Sequence, residues 1–179
     1  GGFNSQFTSN AAGWTPSSGS WSVSGGSYQA PGVASKIISS VHATNYSKLT
    51  YETRMKRTGS CTGCVNSLYF RGVPTPKNSV DDWNKGFRFS YTNNGYWQFL
   101  YINNGAYYSL VNWTPTSAIA QNGWNTLKIV ANGTSIKLYI NGALMVSGTA
   151  TGFNPSGNVG LGFYSVYGAS ERVYADWAK

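Results

Sequence analysis

The sequence predicts an all-β protein built of short antiparallel strands, a sandwich or a barrel. Three observations carry that prediction. Apolar residues recur with period two along the chain, and no segment sustains a helical period. Asn-Gly pairs stand between such runs, and the central positions of a tight hairpin turn need the positive φ that Asn and Gly tolerate. Gly is abundant (22 residues) and aromatics make up 16% of the chain, against only 10% charged residues. That is the profile of a turn-rich secreted β protein rather than a helical cytosolic enzyme.

The 179 residues fit a single domain, 1–179, with a core of its own. No apolar run approaches the ~20 residues a membrane helix needs, so no membrane span is expected. No charged segment followed by an apolar one opens the chain, so any signal peptide is expected to have been removed already.

The strands can be justified in order. Trp21-Ser-Val23 and Tyr28 flank a Gly25-Gly26 turn, and residues 33–41 form another short apolar segment. From Leu49 to Arg57 the alternation is clean: Leu49, Tyr51, Thr53 and Met55 share one face, and Thr50, Glu52, Arg54 and Lys56 the other. Ser67–Arg71 follows, with Leu68 and Phe70 opposite Tyr69 and Arg71. Residues 72–85 read as a polar loop containing Asp81, Asp82 and Trp83. Gly86–Tyr91 sets Phe87, Phe89 and Tyr91 against Arg88 and Ser90. Tyr96–Ile102 and Tyr107–Trp113 come next; in the first, Tyr96/Gln98 and Trp97/Phe99/Tyr101 both carry aromatics, so the inward face stays open. Residues 114–123 read as a loop. Trp124–Gly148 is the clearest meander, with Leu127, Ile129 and Ala131, then Ile136, Leu138 and Ile140, on one face. Val159–Tyr164 and Glu171–Ala178 complete the set.

Cys61 and Cys64 form Cys-Thr-Gly-Cys. Such a pair can be a redox centre, half of a zinc site or a small-loop disulfide. Zinc needs two further ligands, and His42 is the one other candidate outside the carboxylates. A redox pair belongs before a helix in a βαβ unit, whereas this one lies between two β runs. A disulfide is the favoured reading, and it implies an oxidising compartment. His42 itself reads as a solvated loop side chain.

The formal charge is +8, with 13 Lys and Arg against five carboxylates. One reading is simple scarcity of Asp and Glu on a polar surface; the sharper one is attraction to an acidic polymer. The cations are scattered apart from Arg54, Lys56 and Arg57, and there is no basic run of the kind that marks a nucleic-acid partner.

Several phrases together resemble concanavalin A-like (laminin-G-like) jelly-roll domains. They are Phe3–Phe7 with Trp14 and Gly19-Ser-Trp21-Ser-Val, Tyr51-Glu-Thr-Arg-Met-Lys56, Leu68-Tyr-Phe-Arg-Gly72, Gly95-Tyr-Trp-Gln-Phe99, and Tyr107-Tyr-Ser-Leu-Val-Asn-Trp113. The clearest are Trp124–Gly133 with Ile136–Gly142, and Gly157-Asn-Val-Gly160. The resemblance spans nearly the whole chain. It implies an all-β, two-sheet antiparallel jelly-roll sandwich with one concave sheet, whose groove commonly holds glycans in such domains. It also admits lectins, carbohydrate-binding modules, glucanases, lyases and adhesive domains, so function must come from the residues.

Glucanases of this kind carry paired acids on one strand, and retaining hydrolysis needs two carboxyls ~5 Å apart. Here no strand carries two at even spacing among Glu52, Asp81, Asp82, Glu171 and Asp176. A lyase needs Arg or Asn to neutralise a uronate and a Tyr or His base. Arg54, Arg71, Arg88 and His42 are available, but the motifs of jelly-roll lyases are missing. A binding site needs only aromatic platforms and a few polar groups. The first reading is therefore non-catalytic polysaccharide binding by the concave face of a secreted β-sandwich. Its expected ligand residues are Tyr69, Arg71, Arg88, Trp97, Trp83 and Asp82. An adhesive or self-assembling extracellular domain, and a polysaccharide lyase or hydrolase, remain as alternatives. The chain is also compatible with a place beside other modules of a larger extracellular protein. The resemblance further makes Asp176 a candidate ligand for a structural calcium where the chain ends meet, although Asn4 stands where a partner acid would be expected.

Overall fold

The computed structural model describes residues 1–179. Two antiparallel seven-stranded sheets pack face to face. The first sheet contains β1 (Trp14–Ser18), β4 (Lys36–Tyr46), β13 (Gly157–Ser165), β6 (Val65–Val73), β7 (Lys85–Thr92), β8 (Tyr96–Asn103) and β9 (Ala106–Pro115), in that spatial order. The second contains β12 (Ala143–Thr149), β11 (Ser135–Ile140), β10 (Asn125–Asn132), β5 (Leu49–Thr58), β14 (Arg172–Ala178), β3 (Ser27–Pro31) and β2 (Ser22–Ser24). One 3-10 turn, Gly168–Ser170, interrupts the strands. The two-sheet jelly-roll architecture expected from the sequence is present. No helix is long and apolar enough to cross a membrane.

The alternation that predicts the strands also fills the core. Leu49, Tyr51 and Met55 on β5 meet Leu127, Ile129 and Ala131 on β10 and Ile136, Leu138 and Ile140 on β11, all buried. Facing them across the sandwich are Leu68 and Phe70 of β6, Phe87 and Phe89 of β7, and Leu161 and Phe163 of β13. Period-two patterning buries one face of each strand, and the hydrophobic driving force, roughly 25 cal/mol per Å² of apolar surface, locks the register. At the hairpin between β11 and β12, Asn141 and Gly142 have φ of +49° and +82°, as the tight turn demands. Cys61 and Cys64 are joined in a disulfide with Cα atoms 5.6 Å apart, closing the loop between β5 and β6.

β8 settles its own ambiguity. Trp97, Phe99 and Tyr101 turn into the core opposite Tyr91, Phe89 and Phe87, while Tyr96 and Gln98 turn outward. Trp97, expected in the ligand site, is therefore a core residue, edge-on to Phe89 with ring centroids 6.4 Å apart. The more polar of the two sets faces out because an inward Gln98 would lose its hydration without a partner.

His42 differs from expectation too. It lies on β4, only 6% exposed, with its ring stacked on Phe3 (3.9 Å) and edge-on to Trp14 (5.3 Å). Its Nδ1 accepts a hydrogen bond from the Thr44 amide at 3.3 Å, so the neutral imidazole fits this place. Burial lowers its pKa from the ordinary histidine value. Near pH 7 and above, folded and unfolded chains both hold it neutral, and its packing contributes fully. As pH falls through about 6.5 the unfolded chain takes the proton first, so stability declines. The unfolding midpoint should therefore fall between pH 7.5 and 5, and the fall should be shallower in His42→Gln, as read by thermal denaturation.

Candidate functional site

The outward face of the first sheet reads in rows across its strands. One row, in register, is Ser39, Gly162, Ser67, Ser90 and Gln98. It is narrow and polar, with the Ser67 and Ser90 hydroxyls 2.7 Å apart. The next row is Val41, Gly160, Tyr69, Arg88, Leu100 and Ser109. The loop between β6 and β7 folds down onto that second row.

Asp82 holds the loop there. Its Oδ1 accepts from the Tyr69 hydroxyl (2.7 Å) and the Trp83 amide (2.8 Å). Its Oδ2 accepts from Arg88 Nη1 (2.5 Å) and the Tyr107 hydroxyl (2.8 Å). Asn78 ties the same loop: its Oδ1 accepts from the Val80 and Asp82 amides, and its Nδ2 donates to the Gly105 carbonyl and the Tyr107 hydroxyl. Trp83 then lies flat on Tyr69, with centroids 4.3 Å apart and planes 8° apart, and its indole N–H donates to Ser39 Oγ. The approach is so close that a Cβ at Gly72 or Gly160 would strike the Trp83 ring at 2.4 or 2.6 Å, which is why glycine stands at both positions.

Electrostatics reinforce the cluster. Burial opposes the Arg88 charge, but Asp82 and the neighbouring Tyr69 and Tyr107 outweigh it and raise the pKa, keeping the guanidinium charged. Burial, then the Asp82 charge, push the Tyr69 phenol well above its ordinary value and Tyr107 upward as well, so both remain donors.

Four of the residues expected to bind ligand, Tyr69, Asp82, Trp83 and Arg88, are thus brought together, but as a closed structural cluster. Trp83 and Asp82 have no exposed surface, and Tyr69 has none either. Arg71 is elsewhere. β6 carries a bulge between Phe70 and Val73, Arg71 has φ +49°, and the strand's alternation breaks. Its guanidinium donates twice to the Ser47 carbonyl, at 3.1 and 2.7 Å, at the β4–β5 turn. Asp176 lies on the outward face of the second sheet, where Arg54 Nη1 donates to its Oδ2 at 2.6 Å. A calcium site does not fit there. The carboxylate already faces a guanidinium, and the depression where the chain ends meet, about 370 Å³, is lined by Lys48 and Lys179 with no carboxylate.

What remains open on the outward face is a strip along β8 and β9. Tyr107 (45% exposed) borders it at one end; Tyr96 (40%) and Trp113 (38%) border the other. The half-buried Gln98 and the exposed Ser109 and Asn112 lie between them. Strand rise puts the two aromatic ends roughly 17–20 Å apart. Trp113 and Tyr96, with Thr92, Asn94 and Gly63, line a small depression of about 210 Å³. Tyr107, Tyr96, Trp113 and Asn78 were not singled out in the sequence. A signal did exist, because the set containing Gln98 was the more polar face of β8.

The carboxylates are as informative. Glu171 is buried against Arg57 away from this face, and Glu52 lies near Lys179 on the second sheet. On the outward face of the first sheet, Asp82 is the one buried acid, and all its acceptor directions are taken.

Residues 2–165 match the family of 3-keto-alpha-glucoside-1,2-lyase-like domains. The chain belongs to that family. No curated protein matches it. Among solved structures this chain is similar to a carbohydrate-binding module of type CBM66 from Bacillus subtilis (20% identity, TM-score 0.71, 92% of this chain and 93% of that one). It is similar to a Bacillus licheniformis β-glucanase (17% identity, TM-score 0.74, 98% and 95%). It also resembles a prokaryotic β-1,3-1,4-glucanase from a mouse hindgut metagenome (13% identity, TM-score 0.71, 98% and 96%). At these identities the likeness is one of fold, and the fold serves both binding and hydrolysis.

Asp82→Asn leaves the buried Arg88 guanidinium without its counter-charge, so stability should fall by about 3 kcal/mol in urea unfolding. A loss below about 1 kcal/mol would show that the cluster does not hold the loop.

Proposed function

We propose that this chain is a non-catalytic glycan-binding domain of a secreted protein, with the β8–β9 strip as its contact surface. One observation carries the reading: the open strip has aromatic rings and polar side chains but no available acid. Aromatic rings cover the apolar faces of sugars, and a few fixed polar groups meet the hydroxyls. Tyr107, Tyr96 and Trp113 supply the rings; Gln98, Ser109 and Asn112 supply the polar groups. Glycoside hydrolysis needs two carboxyl groups, ~5 Å apart for retention or ~6.5–9.5 Å for inversion. Asp82 is saturated by four donors, which leaves Asp81 on the covering loop as a single unpaired carboxylate, so the face presents neither pair. The disulfide supports an oxidising, extracellular setting, and the likeness to a carbohydrate-binding module points the same way.

Lyase chemistry is a second reading, favoured by the family's name and by Lys77. This lysine stands 5.8 Å from the Trp83 ring centroid, and its ammonium donates to Ser17 Oγ and the Pro74 carbonyl. Burial, only partly offset by Asp82 and Asp81, lowers its pKa to about 8. A neutral lysine amine near that pH can serve as a base.

A glycan array with parallel assays for reducing ends and unsaturated products separates the two. The binding reading expects retention of at least one glycan, no product, and a roughly tenfold loss of affinity in Trp113→Ala by titration calorimetry. Failure to bind any glycan would sink it. Product formation that rises with pH through about 8 and vanishes in Lys77→Ala would replace it with the lyase reading.

A further inference from the structure

The surplus positive charge has a location. Outward on the second sheet stand Arg54 and Lys56 of β5, Lys128 of β10, Lys137 of β11 and Arg172 of β14, each flanked along its strand by buried residues. Glu52 and Asp176 are the carboxylates on the same face. Arg57, the third cation of the basic stretch in β5, turns inward to Glu171 and leaves this surface.

These cations are interleaved with rings. Trp124 takes Arg54 at 4.6 Å and Lys56 at 4.8 Å from its centroid; Tyr174 takes Lys56 at 5.1 Å, and Tyr139 takes Lys128 at 5.4 Å. Register fixes their arrangement. Lys56 pairs with Tyr174, Lys128 with Glu52 and Tyr139, and Lys137 with Val130. The positions Lys56, Arg54, Lys128 and Lys137 therefore form a diagonal. Strand spacings put Lys128 about 14 Å from Lys56 and about 8 Å from Lys137.

We propose that this face is a second binding surface, taking an acidic polysaccharide that carries uronate or sulfate groups. The rings offer flat apolar area to the sugar faces; Lys56 and Lys128, held over those rings, and Lys137 beside them meet the charged substituents, while Arg54 is paired with Asp176. A nucleic-acid duplex carries a charge every ~1.7 Å of axis, and would set phosphates beside Glu52 and Asp176. The proposal does not rest on the β8–β9 strip, which lies on the opposite sheet.

Affinity electrophoresis tests it, with polygalacturonate or dextran sulfate in the gel, neutral dextran as reference and a single-stranded oligonucleotide as competitor. The native chain should be retarded by at least one acidic polymer, and the two polymers separate carboxylate from sulfate recognition. The combined variant Lys56→Gln/Lys128→Gln/Lys137→Gln should bind roughly tenfold more weakly. A variant on the first sheet, Lys36→Gln/Lys85→Gln, should bind as the native chain does. Near-UV circular dichroism checks each fold, and Lys137→Gln alone, at an exposed position opposite Val130, provides a second, less perturbing probe that should also weaken binding. No retardation, equal losses in the two lysine variants, unchanged binding in both face variants, or preference for the oligonucleotide would each overturn the proposal.

Discussion

One buried carboxylate sets the character of the first sheet. Asp82 collects donors from β6, β7, β9 and its own loop, and so closes residues 74–84 over the sheet. A carboxylate in such a place is tolerable only when paired and fully hydrogen-bonded. Tyr69, Arg88 and Tyr107 meet that requirement from three different strands, so the loop's position and the registry of those strands depend on one another. Trp83 follows from it, pressed onto Tyr69 over two glycines. The consequence is geometric: the aromatics at the centre of the sheet are spent holding the protein together. The available rings lie outward, on β8 and the edge strand β9.

The same logic governs the remaining acids. Glu171 is consumed by Arg57 in the interior, Asp176 by Arg54, and Glu52 lies 3.8 Å from Lys179. Only Asp81, at the tip of the loop with φ +64°, is without an ion pair. With so few carboxylates, and most already paired, the charge left over is cationic and sits at the surface. Because Arg88 and Asp82 cancel one another, little of it reaches the β8–β9 strip. The two outward faces of the sandwich thus differ in kind, one neutral and aromatic, the other basic and aromatic.

How much of this the sequence disclosed depends on the range of the interactions involved. The meander from β10 to β12 was legible almost residue by residue, because Leu127, Ile129, Ile136 and Leu138 declare their face locally and Asn141-Gly142 declares the turn. The same holds for Leu49 to Met55. Arg71 was misplaced because a bulge adds a residue to a strand whose pattern is still regular; alternation alone puts Tyr69 and Arg71 on one face, and the backbone bends between them. Trp97 was misplaced because both faces of β8 carry aromatics, and periodicity cannot rank two apolar sets. His42 looked like a loop residue because its partners, Phe3 and Trp14, lie far from it in sequence. The role of Asp82 depends on residues from Tyr69 to Tyr107, and no local pattern encodes such convergence. The sequence brought the right residues of this cluster to attention for a chemical reason, polar groups among aromatics, but could not distinguish a site that binds from one that braces.

That distinction bears on how one fold serves both hydrolysis and binding. On this sheet a catalytic pair would need two acids directed into the face from neighbouring strand positions, with room for substrate above them. Here those positions hold Ser67, Ser90 and Gln98, with Arg88 committed to the loop. The hydroxyls of Ser67 and Ser90 are buried and bonded to each other, so the centre of the face carries no free charge. Converting such a face to hydrolysis would need more than a pair of acids, because the loop held by Asp82 would still cover the substrate's place. Removing the loop would in turn expose Tyr69 and Trp83 and leave Arg88 unpaired. The packing that stabilises this face and the absence of an acid pair from it are therefore two results of the same arrangement around Asp82.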